Sequence, residues 1–185
     1  MIKKVLFFFG IIFYTTLVSA FETTAKKEYL IDVLSGKVLL KKNENERISP
    51  ASITKIMTTI VAFELIKKGE LKLDEKFKIS KKAWRMSSKG YSSMFIMPGD
   101  KVSVENLLKG IIIVSGNDAC LALAQGIAGT EEEFVNMMNT MAIKIGLNNT
   151  KFSNSSGLYN ENNFSTAKDI ATMSIYLINN FPILY

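Results

Sequence analysis

Ser49-Pro50-Ala51-Ser52-Ile53-Thr54-Lys55-Ile56-Met57-Thr58-Thr59 is the stretch on which the reading of this chain turns. Ser49 has the chemistry of a helix N-cap and Pro50 that of a first helical residue. Ile56, Ile60, Phe63 and Ile66 then recur at helical spacing until Gly69 ends the run. A helix beginning here places Ser52 in its first turn and Lys55 one turn on, on the same face. Backbone N–H groups of a first turn lack intrahelical partners and favour developing negative charge. An unprotonated Lys55 amine one turn away could accept the Ser52 hydroxyl proton.

This is the S-x-x-K arrangement of serine acyl-transfer enzymes. Alone it is weakly specific, because the chain holds a second copy, Ser165-Thr166-Ala167-Lys168. That copy reads more simply as an N-cap followed by a solvated lysine. The decision between the two meanings rests on the rest of the sequence.

The 185 residues have a globular composition and room for one domain of modest core. The first twenty read as a signal peptide: Lys3 and Lys4 form a basic start, an apolar run follows from Val5, and Val18-Ser19-Ala20 is an A-x-A-like cleavage site. The expectation is therefore an exported chain, found in the periplasm or at the outer face of the cytoplasmic membrane, whose domain spans 21–185. The net charge of +6 includes Lys3 and Lys4. The remaining excess suits an anionic envelope or membrane surface, so peripheral association with that membrane is a further expectation. The basic residues are too dispersed to indicate nucleic acid.

The lone Cys120 has no partner for an internal disulfide, and its apolar neighbours mark it as a buried thiol. The chain contains no histidine, which excludes Ser-His-Asp and Cys-His mechanisms and most zinc sites. Acid–base chemistry is left to Lys, Asp, Glu or Tyr.

Glu28 to Val33 and Lys37 to Lys41 read as a hairpin about Leu34-Ser35-Gly36, followed by the helix that bears Ser52 and Lys55. Residues 70–103 read as loops with short strands, including runs at Lys76 to Ile79 and Met94 to Met97. Apolar helices are expected from Ser103 and from about Asp118 to Ile127. Ser115-Gly116-Asn117, between those helices, is either a turn with an N-cap or a loop that aims Ser115 and Asn117 into a cleft. Thr130 and Glu133 have the spacing of a capping box for a helix with an apolar Phe134, Met137, Met138, Met141 and Ile145 stripe, closed by Gly146. A last helix is capped by Ser165 or Thr166 and stopped by Pro182.

Taken together, these segments resemble the low-molecular-mass penicillin-binding proteins, the serine D-alanyl-D-alanine carboxypeptidases. Pro50-Ala51-Ser52-Ile53-Thr54-Lys55-Ile56-Met57-Thr58 is similar to their nucleophile motif. Ser115-Gly116-Asn117-Asp118-Ala119 resembles their second motif, equivalent to S-D-N in related enzymes. Phe152-Ser153-Asn154 with Gly157-Leu158, and Phe164-Ser165-Thr166-Ala167 before Asp169, resemble two further family segments. The resemblance implies Ser52 as acylated nucleophile, Lys55 as its base, Ser115 as proton relay to the leaving amine, and Asn117 as a hydrogen-bond partner of the substrate amide. The Ser52 N–H is implied as half of an oxyanion hole. Also implied are stem peptides of peptidoglycan ending in D-Ala-D-Ala as substrate, β-lactams as covalent inhibitors, and neither metal nor other cofactor.

The family's third motif, K-T-G or K-S-G, does not occur in these residues. The implied fold is accordingly α+β, β-lactamase/transpeptidase-like and partial: an N-terminal hairpin plus a mainly helical region, without the later sheet strands. Two consequences are expected, helix faces uncovered where a sheet would lie and Lys55 opened to water, which opposes a lowered amine pKa. Three readings stay open on the sequence. One is an active carboxypeptidase. The second is a truncated, catalytically inactive relative. The third is a β-lactamase-like hydrolase, for which Glu161 occupies a plausible region, although Ser165 stands where its class A segment has Asn.

Overall fold

The computed structural model describes residues 23–185, so the expected signal peptide lies outside the described residues. Its elements run β1 (Glu28–Ile31), β2 (Val38–Lys42), a 3-10 turn (Ala51–Ile53), α1 (Thr54–Lys67), β3 (Lys76–Lys78) and α2 (Lys81–Ser87). After these come β4 (Lys101–Ser103), α3 (Val104–Val114), α4 (Asn117–Ala128), α5 (Glu131–Ile145) and α6 (Ala167–Asn180). The sheets are two antiparallel pairs, β1 with β2 and β3 with β4. Beyond β4 the described residues hold no strand, only the isolated bridges Ile48–Ser165 and Lys151–Phe164. This is the α+β arrangement expected from the sequence.

Helix α1 is the centre of the molecule, packed against α3, α4, α5 and α6. From Thr54 to Glu64 every residue except Ile56 is buried, so the helix is enclosed on most sides rather than along one stripe. The alternation of Met57, Ile60, Val61 and Phe63 with Thr54, Thr58 and Thr59 serves that environment. Each buried threonine carries a hydroxyl that must be satisfied, and Thr58 Oγ1 donates to the Ser155 carbonyl at 2.6 Å while Thr54 Oγ1 accepts from Asn163 Nδ2 at 3.2 Å. These bonds fasten the 152–158 loop and the start of α6 to the helix.

The entry to α1 departs from the sequence expectation. Pro50, not Ser49, takes the cap position, Ser52 sits in the 3-10 turn, and α1 proper begins at Thr54. Ala51 has φ +47°, an uncommon conformation for a residue with a Cβ. The tight turn brings its carbonyl against Gly157, where an added Cβ would lie 1.8 Å from the Ala51 oxygen. Gly157 itself has φ +83°, so both space and backbone require glycine there.

Between 70 and 103 the structure adds a helix. Ser80 caps α2 by accepting from the Ala83 N–H at 3.0 Å, and the helix is too short for its apolar residues to establish a period. The Met94 to Met97 run is not a strand. Met94 and Ile96 give their N–H groups to the Asp118 carboxylate at 3.0 and 3.3 Å, and Phe95 between them has φ +61°. The helix starts at Ser103, Thr130 and Thr166 are capped as expected, each hydroxyl accepting from the N–H three residues on. Cys120 is fully buried, and burial pushes its thiol up to about 12.

On the opposite end of α1, Glu64 is buried among Tyr176 of α6 and Lys144 of α5. The Tyr176 hydroxyl donates to Oε1, and Lys144 Nζ lies 3.2 Å from Oε2. Burial raises the Glu64 pKa, but these bonds outweigh it and hold the carboxyl below its ordinary value of 4.5. A depressed carboxyl contributes stability above its unfolded pKa and loses it as pH falls through the folded one. Tyr176→Phe is expected to cost about 1 kcal/mol at neutral pH and to shrink the acid-side loss of stability below pH 4.5, read from urea unfolding at several pH values. Gly157→Ala, measured the same way, should lose more than about 1 kcal/mol, because the new Cβ meets backbone that cannot rotate away.

Candidate active site

The 3-10 turn lifts Ser52 to the surface while the following turn of α1 sinks Lys55, which is 6% exposed. Lys55 Nζ lies 3.2 Å from Ser52 Oγ, 2.9 Å from Asn117 Oδ1 and 2.7 Å from the Ser156 carbonyl oxygen. The expectation that Lys55 opens to water is therefore corrected. Its enclosure comes from α4 and the 152–158 loop, which cover it irrespective of any sheet. Burial lowers its pKa from the ordinary 10.5.

Ser115 ends α3 in the left-handed conformation, φ +54° and ψ +36°. That bend turns its hydroxyl to Ser52, with Oγ to Oγ at 3.2 Å. Gly116 then caps α4, and Asn117 is its first residue. The loop is held from behind. The Asn117 N–H donates to the Ser92 carbonyl at 2.8 Å, and the Gly116 N–H to the Gly110 carbonyl at 3.0 Å. Asp118, fully buried, accepts from Met94, Ile96 and Ala119 N–H groups and from the Ser87 hydroxyl at 3.0 Å. Burial raises the Asp118 pKa, but the Ser93 hydroxyl beside it and those backbone donors outweigh the effect and keep it ionised.

Of the four residues singled out in the sequence, the structure brings all of them within one hydrogen-bonded cluster. It adds two contributors that sequence reasoning passed over, the Ser156 carbonyl and Asp118. The first acts through its backbone, so its residue type carried no signal. The second stood beside Asn117 within the quoted motif, but nothing in the pattern said that it would be buried and bonded to a distant loop. The Ser52 N–H meets no backbone acceptor among the described residues. Glu161 is exposed in the loop ahead of α6 and does not line the groove at Ser52.

That groove, about 290 Å³, runs from Ser52 and Lys55 past Ile56, Thr59 and Phe63 to Leu177 and Tyr185. Ile112 and Ile113, at the end of α3, are 60% and 75% exposed. Apolar helix surface is thus open beside the cluster, as expected where no further strands lie. Among the described residues there is no group of three or more His, Cys, Asp or Glu side chains able to hold a metal.

The cluster chemistry is that of an activated serine. Lys55, once neutral, has two N–H groups for two obligate acceptors, Asn117 Oδ1 and Ser156 O, and one lone pair for the Ser52 hydroxyl. Comparison with known proteins identifies the family of the chain. The family described as D-alanyl-D-alanine carboxypeptidase matches residues 14–185. The chain is 47% identical over 154 residues to D-alanyl-D-alanine carboxypeptidase DacF of Bacillus subtilis, covering 83% of this chain and 39% of the relative. It is 45% identical over 168 residues to DacC of Escherichia coli, covering 89% and 42%. The crystal structure of D-alanyl-D-alanine carboxypeptidase DacD from Francisella tularensis superposes with a TM-score of 0.85 at 42% identity, over 89% of this chain and 39% of that one. The chain therefore spans about two fifths of the length of these relatives. Matched along every described residue and superposed on a solved relative, this chain belongs to the D-alanyl-D-alanine carboxypeptidase family.

Proposed function

We propose that the chain is the nucleophile-bearing part of an exported serine D-Ala-D-Ala carboxypeptidase that acts on peptidoglycan stem peptides. The observation that carries the proposal is the buried Lys55 amine in contact with Ser52 Oγ at 3.2 Å. Ser52 Oγ attacks the carbonyl carbon of the penultimate D-Ala while its proton passes to Lys55 Nζ. The developing oxyanion is received by the Ser52 N–H. The C–N bond breaks, the terminal D-Ala leaves as an amine protonated through Ser115, and water hydrolyses the Ser52 ester. Asn117, its Oδ1 engaged by Lys55, offers its NH₂ to the substrate amide. β-Lactams acylate the same oxygen. Export by the leader at 1–20, a domain over 21–185, and peripheral association with the outer face of the cytoplasmic membrane belong to the same proposal.

The open apolar groove beside Ser52 favours a second reading, a catalytically inert relative. Incubation with fluorescent penicillin decides between them. The active reading expects a covalent adduct on Ser52 that Ser52→Ala abolishes. Unlabelled protein with native circular dichroism selects the inert one.

The role given to Lys55 has its own signature. A base must be deprotonated, so the acylation rate should rise with pH through the lowered Lys55 value and level off above it, below the ordinary 10.5. Lys55→Arg keeps the positive charge but gives up the proton acceptor, and is expected to slow acylation at least about 100-fold and remove that pH limb. Stopped-flow labelling between pH 6 and 10 measures both.

A further inference from the structure

The net charge of the chain is localised. Residues 76–101 carry seven lysines and arginines against a single acid, Asp100, and that balance of +6 equals the net charge of all 185 residues. The remainder is neutral in sum. Within the segment, β3 and β4 pair so that Lys78 stands directly opposite Lys101. Like charges in that position cost stability. The Ile79 N–H donates to the Asp100 carbonyl at 2.8 Å and the Gly99 N–H to the Ile79 carbonyl at 2.9 Å, which folds the Pro98-Gly99 turn against the start of α2. Lys78 and Lys81 consequently line one shallow hollow with Ser80, Pro98 and Gly99.

Lys76, Lys78, Lys81, Lys82 and Lys101 are all exposed, and none enters the four ion pairs found among the described residues. The Asp100 carboxylate, exposed in the turn and the one acid of the segment, accepts from the Met97 N–H at 3.3 Å. The fold thus gathers cations on one face and leaves them unneutralised, an arrangement suited to an external anionic surface. Met97, in the same turn, adds an apolar side chain that is 55% exposed. Lysines beside exposed apolar groups are the composition of a contact with lipid headgroups, in which ammonium groups meet phosphates and apolar tips enter the interface. A soluble polyanion would need only the lysines.

We propose that the face formed by β3, β4 and the start of α2 docks on an anionic phospholipid surface, with Lys76, Lys78, Lys81, Lys82 and Lys101 against lipid phosphates and Met97 at the headgroup level. The inference rests on the membrane-association part of the reading above and is independent of acyl transfer. The same segment is bonded to the site through Ser92, Met94 and Ile96, so docking here fixes how the Ser52 cluster is held relative to the bilayer.

The test is co-sedimentation of the full chain with vesicles of phosphatidylcholine alone and of phosphatidylcholine mixed with phosphatidylglycerol. The apolar N-terminal stretch contributes to both, so the phosphatidylglycerol-dependent increment is the quantity read. Combined Lys78→Gln, Lys81→Gln, Lys82→Gln and Lys101→Gln should reduce that increment at least about tenfold. The same number of changes in and just ahead of the first hairpin, Lys26→Gln, Lys37→Gln, Lys41→Gln and Lys42→Gln, should alter it less than about twofold. Equal losses in the two variants, no preference for phosphatidylglycerol, or retention of soluble polyphosphate without vesicle binding each overturn the proposal. Penicillin labelling of the same samples separates the two readings: a chain that labels but ignores vesicles fails only here, and one that binds vesicles without labelling fails only as an enzyme.

Discussion

The burial of one amine organises this structure. A lysine side chain removed from water favours its neutral form, and it is tolerated only where its hydrogens have acceptors. Lys55 meets that requirement with two oxygens from different parts of the chain, Asn117 Oδ1 on α4 and the Ser156 carbonyl in the loop before α6. Those two contacts span 62 and 101 residues of sequence. To place them, α1 must be enclosed, α4 must begin where it does, and the 152–158 loop must lie flat against the 3-10 turn. Gly157 permits the last of these, because any side chain there would strike the Ala51 carbonyl.

The serine side of the cluster depends on a second buried charge. Asp118 enters no ion pair among the described residues; its compensation is the set of backbone N–H groups and the hydroxyl that converge on it. A carboxylate so satisfied is strongly held, and breaking the set leaves a buried charge uncompensated. The 87–96 segment is therefore fastened to the Ser115–Asn117 turn, and the left-handed Ser115 keeps its hydroxyl on Ser52. The two buried groups are shifted downward for different reasons, Lys55 by burial and Asp118, against its burial, by the donors that converge on it.

Much of this was legible in the residues because it rests on local chemistry. The helix starts at Ser103, Thr130 and Thr166 follow from hydroxyls placed before apolar runs, and the left-handed stop at Gly146 from a glycine after one. The S-x-x-K and S-x-N segments were visible as pairs of polar groups inside apolar context. The long-range terms were not visible. Ser49 has the chemistry of a cap, yet the 3-10 turn set by Ala51 against Gly157 moves the helix start to Thr54. Met94 to Met97 has strand composition, but its N–H groups are taken by a carboxylate 22 and 24 residues away, and no neighbouring strand remains to claim them. Short helices such as α2 give too few residues for a period to declare itself.

The expectation that failed for Lys55 is the informative one. It assumed that a sheet over the helices supplies the low-polarity surroundings of the amine. The structure locates that enclosure in α4 and the 152–158 loop, where Asn117 and Ser156 are buried with Thr54 and Thr58, while Lys55, Ile56, Thr59 and Phe63 line the groove. The two environments meet at Lys55, whose amine is bonded to Asn117 and Ser156 while its side chain also lines the groove. Lys55, Ile56, Thr59 and Phe63 follow one another at helical spacing, so the groove runs on from the Ser52–Lys55 pair along α1. The acceptors of the Lys55 amine, Asn117 Oδ1 and the Ser156 carbonyl, thus lie within the described residues, and its burial depends on α4 and the 152–158 loop rather than on a sheet across the groove.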